Sequence, residues 1–377
     1  MDLALSEEQE MLRKMARDFL TNKCPKTLVR EMEKDEKGYS PELWQEMAEL
    51  DWMGLVFPAR YGGGDMNFLD LSVLLEEIGR ACLPGPFLST VVLGGLPILD
   101  IGNEEQKQEY LPKIASGKAI FTLALTEPSA EYDAASITVK ATADNNDYII
   151  TGTKLFVPDA HIADYLLCVA RTSDRVKPED GITIFIVDAK SPGISYTLLK
   201  TIASDKLCEA VFNQVRVAKE NILGKLDQGW SEVQKIIERA AVAKCCEMVG
   251  SLQQMLEMTI DYAKERVQFG VPIGSFQVIQ HYCTNMATDV DGSRLITYQA
   301  AWMINEGLPC TKQAAMAKAW TSTACRQVSL LSHQIHGGIG YTMDHDLQLY
   351  TRRAKAAELT LGDADFHQEI VAQEIGL

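Results

Sequence analysis

The chain has 377 residues, of which 46% are hydrophobic and 23% are charged, and its formal net charge is −16 at pH 7. This composition indicates a folded protein with a substantial core and argues against a disordered chain. Because so acidic a surface repels nucleic acid and anionic membranes, neither is expected as a main partner.

The nine cysteines are scattered along the chain and form no CxxC pair. This spacing is typical of neither a disulfide framework nor a zinc site, so we expect reduced thiols, no bound metal and a cytoplasmic protein. The N-terminus lacks the basic and apolar regions of a secretory signal. No apolar run reaches the roughly 18 residues that a membrane span needs.

Helical periodicity predicts an N-terminal helical domain over residues 1–118. Ser6 and Gln9 have the spacing of a capping box at the start of the first helix. Three further helices are predicted, over residues 41–50, 69–81 and 104–116.

Short apolar runs bounded by turn residues predict a middle β domain over residues 119–222. The four residues Asp144 to Asp147 are typical of a hairpin turn. Strands are expected at residues 120–125, 148–152, 165–170, 182–187 and 210–217.

Helical periodicity returns near residue 229 and persists almost to the end. Long helices joined by short links predict a C-terminal four-helix bundle over residues 223–377. The helices are expected at residues 230–269, 276–306, 311–335 and 346–360.

Three separated segments carry motifs. Residues 121–133 read FTLALTEPSAEYD, residues 265–277 read ERVQFGVPIGSFQ, and residues 334–355 read QIHGGIGYTMDHDLQLYTRRAK. In order and spacing they resemble the signatures of the acyl-CoA dehydrogenase family, and the resemblance covers the whole chain. It implies that family's α+β fold, with a helical N-terminal domain, an antiparallel β domain and a four-helix bundle. It also implies bound FAD, an acyl-CoA substrate and an electron-transfer flavoprotein as electron acceptor.

The resemblance further implies which residues bind FAD. Leu123, Leu125 and Thr126 would offer backbone groups and one hydroxyl to the edge of the flavin ring. Phe156 could stack on the ring. In relatives, several further residues contact the diphosphate and the adenine of FAD, some of them from a neighbouring subunit. The matching candidates here are Arg266, Gln268, Phe269, Gln277, Gln334, Gly337 and Gly338. The alternative for Leu123, Leu125 and Thr126 is an ordinary strand end. For Arg266 it is a solvated charge, and for the glycines it is a tight turn between helices.

The chain departs from the family around the flavin. Residues 152–160 read GTKLFVPDA, where many members have Trp-x-Thr. Pro158 stands where the threonine hydroxyl would bond flavin N5, so Thr126, another backbone group or water must take that role. Glu131 and Tyr132 replace the usual Gly-Ser, which predicts a reshaped thioester end of the pocket.

The catalytic base is also displaced. Removal of the proton α to the thioester suits a carboxylate, but the two positions at which members carry this Glu hold Leu361 and Ala240. Glu247 follows Ala240 by seven residues, which places both on one helix face about 10 Å apart. Steroid side-chain-degrading members have their base at a similar place, so Glu247 is the predicted base. Asp363, Glu238 and a purely structural Glu247 are the alternatives.

These features predict FAD-dependent α,β-dehydrogenation of an acyl-CoA thioester to the 2-enoyl-CoA. Loss of both common base positions favours an unusual acyl group, either branched, cyclic or carboxylated. The alternative is a non-catalytic or half-site subunit of a heteromeric acyl-CoA dehydrogenase, and flavin-dependent oxygen chemistry is a third candidate. A homotetramer or an α2β2 heterotetramer is expected from the resemblance.

Overall fold

The computed structural model describes residues 5–173 and 177–377. The first four residues of the predicted N-terminal domain and residues 174–176 of the predicted β domain lie outside this description. By its internal contacts the chain divides into two compact units. The first contains Met1–Glu31, Asn67–Leu83 and Ala241–Leu377, and the second contains Met32–Met66 and Pro84–Ala240.

The helices follow the predicted order, with three additions. They are α1 (Glu7–Lys23), α2 (Lys26–Lys34), α3 (Pro41–Glu49), α4 (Phe68–Ala81), α5 (Leu96–Ile101), α6 (Glu104–Ala115), α7 (Trp230–Glu265), α8 (Gln277–Asn305), α9 (Thr311–His336), α10 (Leu347–Leu359) and α11 (Ala364–Glu374). The sequence does not predict the short helices α2, α5 and α11. Among the described residues, no helix combines the length and the apolar character that crossing a bilayer requires.

Capping explains where several helices begin. The Ser6 hydroxyl accepts a hydrogen bond from the Gln9 amide at 3.2 Å, and the Gln9 side chain accepts one from the Ser6 amide at 3.1 Å. The predicted capping box of α1 is therefore confirmed. Pro41 occupies the first turn of α3, where its missing N–H removes no helical hydrogen bond.

In the first unit, α9 packs against α8, α10 and α11, and α4 packs against α1 and α8. Helices α4 and α7 cross with their backbones in direct contact. A Cβ added at Gly79 would lie 1.9 Å from the Glu247 carbonyl oxygen, and one at Gly250 would lie 1.8 Å from that of Glu76. Only glycine fits at both positions, so this crossing fixes the backbone of α7 at Glu247.

Replacing Gly79 by Ala is expected to destabilise the first unit by about 3 kcal/mol, near the upper end of typical overpacking costs. The neighbouring atoms belong to backbone and cannot rotate away, and the gain of about 1 kcal/mol in helix propensity does not offset the clash. Urea unfolding followed by circular dichroism measures the change. Gly338→Ala is the control, because its Cβ would meet nothing within 4 Å. Equal unfolding midpoints for the two variants would contradict the close crossing.

The second unit contains a mixed sheet. Its strands are β1 (Phe121–Ala124), β2 (Lys140–Asp144), β3 (Asp147–Pro158), β4 (Tyr165–Arg171), β5 (Ile182–Asp188), β6 (Ile194–Leu198), β7 (Leu207–Ala218) and β8 (Ile222–Leu223). The order is β6-β7-β3-β2-β4-β5-β8, with β1 beside β4. Pairing is antiparallel along most of the sheet, as predicted, whereas β1 and β2 pair with β4 in parallel. Asp144 and Asp147 face each other across the predicted hairpin turn.

Candidate active site

The segment after β1 carries the residues predicted to face the flavin edge. Leu123 and Leu125 are each 5% exposed, so they can offer a ligand only backbone groups, whereas Thr126 is half-buried. Within the described residues, no protein group forms a hydrogen bond with the Thr126 hydroxyl. A partly accessible hydroxyl with no protein partner is suited to an external acceptor such as a flavin nitrogen.

Lys154 holds this segment in place from inside the second unit. Its buried ammonium donates to the Leu125 carbonyl at 2.9 Å and to the Glu127 carboxylate at 2.8 Å. Glu127 in turn accepts hydrogen bonds from the amides of Thr138 at 2.8 Å and Val139 at 3.1 Å. Burial opposes the charge on Glu127, but the Lys154 ammonium and these hydrogen bonds outweigh burial and lower the pKa of Glu127. This pair is not predicted from the sequence, although Glu127 lies in the motif at residues 121–133 and Lys154 in the segment at residues 152–160.

Phe156 occupies a β-bulge in β3. The register between β3 and β7 shifts between Lys154 and Val157, and Phe156 has φ +54° with 47% of its surface exposed. A left-handed backbone costs a non-glycine residue about 1–2 kcal/mol, and bulges commonly redirect a side chain. The neighbouring Leu155 amide donates to the Thr126 carbonyl at 2.8 Å. Phe156 therefore follows a residue that is hydrogen-bonded to the Thr126 segment, and its exposed ring is available for stacking.

The candidate diphosphate contacts lie in the first unit. Arg266 follows α7 and precedes the hairpin of β9 (Val267–Gln268) and β10 (Val271–Pro272), and it is exposed, as is Gln268. Phe269 at the turn is 94% exposed with φ +52°. Across the described ranges, the Arg266 guanidinium forms no ion pair or hydrogen bond. It is therefore able to bind an anionic group from outside the chain.

The Gly337–Gly338 turn lies beside the C-terminal end of α7. The Tyr262 ring stacks on the His336 ring with 4.5 Å between centroids. Gly337 has φ +63°, which favours glycine, and a Cβ at either glycine would meet nothing within 4 Å. Gln277 and Gln334 are exposed on the same unit.

These two sets of residues fit the chemistry of FAD. The second unit offers a free hydroxyl, fixed backbone groups and an exposed aromatic ring. The first unit offers an unpaired guanidinium and open glycine backbone, which suit a diphosphate. The structure thus groups the ring candidates in one unit and the diphosphate candidates in the other.

Glu247 is partly exposed in an otherwise buried part of α7. Between residues 241 and 252, every residue is buried except Lys244 and Glu247. The Lys244 ammonium donates to the Glu247 carboxylate at 2.6 Å, and the two side chains are 19% and 18% exposed. The predicted base therefore has a cationic partner, as the structural alternative for Glu247 expects, and the spacing of three residues in a helix permits such a pair.

Asp363, which lies two residues beyond the common base position at Leu361, has a structural role. Asp363 accepts a hydrogen bond from the Phe366 amide at 2.9 Å and caps α11. Leu361, which replaces the common Glu, is buried with φ +61°. The buried Lys318 ammonium donates to the Gly362 carbonyl at 2.7 Å and stabilises this turn.

Comparison with known proteins gives a consistent result. Family models match the acyl-CoA dehydrogenase N-terminal domain over residues 6–118, the middle domain over residues 122–215 and the C-terminal domain over residues 227–376. Caffeyl-CoA reductase-Etf complex subunit CarC of Acetobacterium woodii is 33% identical over 377 residues, covering 97% of this chain and 98% of that protein.

Two solved structures extend the comparison. Butyryl-CoA dehydrogenase from Megasphaera elsdenii superposes with a TM-score of 0.92 at 30% identity, covering 100% of both chains. A chain of the ChsE4-ChsE5 complex from Mycobacterium tuberculosis superposes with a TM-score of 0.91 at 28% identity, covering 100% of this chain and 99% of that one.

These findings confirm the predicted fold class, with a helical N-terminal domain, a middle β domain and a helical C-terminal domain. They also confirm the enzyme class and FAD as the cofactor, because this family consists of FAD-dependent flavoproteins. The chain belongs to the acyl-CoA dehydrogenase family.

Proposed function

We propose that this chain dehydrogenates an acyl-CoA thioester between Cα and Cβ to give the 2-enoyl-CoA, with Glu247 as the base. One observation carries the assignment of the base: α7 is buried from residue 241 to 252 except at Lys244 and Glu247. A partly exposed carboxylate on a mostly buried helix can reach a carbon acid while most of its surroundings exclude water.

In the proposed reaction, the Glu247 carboxylate takes the α-proton while the Cβ–H bond breaks. Bound FAD supplies the acceptor for the hydride. The Thr126 hydroxyl and the backbone held by Lys154 would orient the flavin edge, and Phe156 would cover one face of the ring. Arg266 would bind the diphosphate. The close approach of Gly79 to the Glu247 carbonyl group prevents the backbone of Glu247 from shifting relative to α4.

An unusual acyl group is part of the proposal. Neither Leu361 nor Ala240 can remove a proton, so the base acts from a different point along the pocket, as the resemblance to steroid side-chain-degrading members suggests. Anaerobic mixing of the holoprotein with branched, cyclic, carboxylated and straight-chain acyl-CoAs tests this. We expect rapid loss of the oxidised flavin absorbance with one of the first three classes. Reduction by straight-chain acyl-CoAs alone would contradict the substrate class, and no reduction by any thioester would contradict the activity.

Arg266→Gln is expected to weaken FAD binding about tenfold to hundredfold, because a hydrogen bond to a charged group contributes about 1.5–3 kcal/mol. Titration of apoprotein with FAD gives the dissociation constant. The control is Lys264→Gln, which removes a nearby exposed charge that pairs with Asp261 at 3.5 Å. Equal weakening in both variants would indicate general electrostatic attraction instead of a specific contact.

An electron-transfer flavoprotein is the proposed electron acceptor, since the Acetobacterium woodii relative is named as part of an Etf complex. The proposed location is the cytoplasm, because the cysteines carry no disulfide framework. A homotetramer is the proposed default assembly.

A half-site subunit is the second candidate function. The similar ChsE4-ChsE5 structure is a complex of two different chains, and an ion-paired Glu247 is compatible with a structural role. Flavin counting on the purified protein separates the two candidates. One FAD per chain in a homomer would exclude the half-site subunit, whereas flavin retention only beside a second chain would favour it.

A further inference from the structure

Lys244 and Glu247 form an isolated pair. Within the described residues, Glu247 is the only hydrogen-bond partner of the Lys244 ammonium, and Lys244 is the only one of the Glu247 carboxylate. A lysine that is 19% exposed on a mostly buried helix loses considerable side-chain entropy. A contribution to helix stability does not explain why Lys244 is ordered here, because an exposed ion pair at this spacing stabilises a helix by only about 0.5 kcal/mol or less.

The backbone of this pair is held rigidly. Gly79 of α4 contacts the Glu247 carbonyl group, and the Ser251 hydroxyl donates to the Gly79 carbonyl at 3.0 Å. Glu247 can therefore change its position only by rotating its side chain. The 2.6 Å contact with Lys244 decides where the carboxylate points.

The other titratable groups around this part of α7 do not replace Lys244. Burial raises the pKa of the Cys245 thiol to about 11 and that of the Cys246 thiol well above its usual value, so both stay neutral. Glu76 of α4 is matched by Arg294 at 3.1 Å and by the Tyr298 hydroxyl at 2.9 Å. Lys318 of α9 donates to Ser322 and to two carbonyls, and Asp363 caps α11.

We propose that Lys244 is a positioning residue for the base: it holds the Glu247 carboxylate directed along α7 until an acyl-CoA enters and separates the pair. This inference rests on the proposed function of Glu247. In this proposal the entering acyl chain displaces the Lys244 ammonium from Glu247 Oε2 and leaves the carboxylate free to take the α-proton. Lys244 then acts on the free enzyme and has little effect on the substrate complex.

The pH dependence of turnover separates these two states, because kcat/KM reports ionisations of the free enzyme and kcat reports those of the substrate complex. Removing a cation beside a carboxylate makes proton binding more favourable, so the charged form is lost at higher pH. In Lys244→Met we expect the acid limb of kcat/KM to move to higher pH. We expect the acid limb of kcat to stay in place. Lys244→Arg should restore the original profile.

The chain contains a matched control on the same helix. Lys235 pairs with Glu232 at 3.2 Å with the same spacing, but Lys235 is 66% exposed. Lys235→Met should leave both pH profiles unchanged. Flavin content and thermal unfolding of each variant identify loss of folding, and Lys244→Gln provides a second neutral variant should Lys244→Met fold poorly.

Two results would overturn the inference. One is an unshifted acid limb of kcat/KM in the neutral Lys244 variants. The other is an equal shift in kcat and kcat/KM, which would mean that the pair persists in the substrate complex. Failure of the proposed base is a different result, because Glu247→Gln would then retain turnover whatever the Lys244 variants do.

Discussion

Glu247→Gln is expected to lower the rate of flavin reduction by an acyl-CoA about a thousandfold, since a positioned general base contributes roughly 10²–10⁴. Glutamine has nearly the shape of glutamate and can accept the hydrogen bond from Lys244, so folding and flavin content should not change. The amide cannot take the α-proton. Anaerobic stopped-flow measurement of flavin bleaching, with the best substrate from the acyl-CoA panel, gives the rate of the chemical step directly.

Glu232→Gln is the matched control, because it removes a carboxylate from the same helix and from a pair of the same spacing. Its bleaching rate should equal that of the unmodified protein. A rate for Glu247→Gln within tenfold of the unmodified protein would contradict the assignment. In that case Asp363→Asn and Glu238→Gln test the two alternative carboxylates, and a loss of reduction in one of them would reassign the base.

Long periodic segments were predictable from sequence because each helix repeats one apolar face over many turns. The helix predicted at residues 311–335 is found at Thr311–His336, and the one predicted at 276–306 is found at Gln277–Asn305. Helix α11 was missed because its sequence, ADFHQEIVAQE, has few strongly apolar residues. Its N-cap, Asp363, was considered as a base when only its motif position was known.

The chemistry-bearing contacts were less predictable than the helices. Lys154 and Glu127 are 27 residues apart, and no local pattern indicates that β3 and the segment after β1 bring them together in a buried site. The bulge at Phe156 depends on the register between β3 and β7, which single-strand alternation does not define. For Lys244 and Glu247 the spacing was visible in the sequence. Which residues of α7 stay partly exposed depends on the packing of α4 and α9, which the sequence pattern does not define.

Lys154→Met is expected to destabilise the second unit by about 3–5 kcal/mol, the usual cost of removing one partner from a buried ion pair. The Glu127 carboxylate would keep its amide donors but lose its cation, and the Leu125 carbonyl would lose its donor. Because the pKa of Glu127 is lowered in the folded protein, its stabilising effect is present above the unfolded pKa of Glu and is lost as the pH falls. The unfolding midpoint in urea should therefore fall most near neutral pH.

The double variant Lys154→Met/Glu127→Gln tests whether the pair is the cause. With both charges removed, we expect recovery of a large part of the lost stability, because the amide of glutamine can still accept the Thr138 and Val139 hydrogen bonds. Lys190→Met is the control in the same unit: Lys190 is 79% exposed and pairs with Asp164 at 3.1 Å, so its loss should cost less than about 1 kcal/mol. A double variant no more stable than Lys154→Met would mean that the lysine acts through packing. Retention of full FAD affinity in Lys154→Met would mean that the Leu125–Thr126 segment binds the flavin without the hydrogen bonds from Lys154.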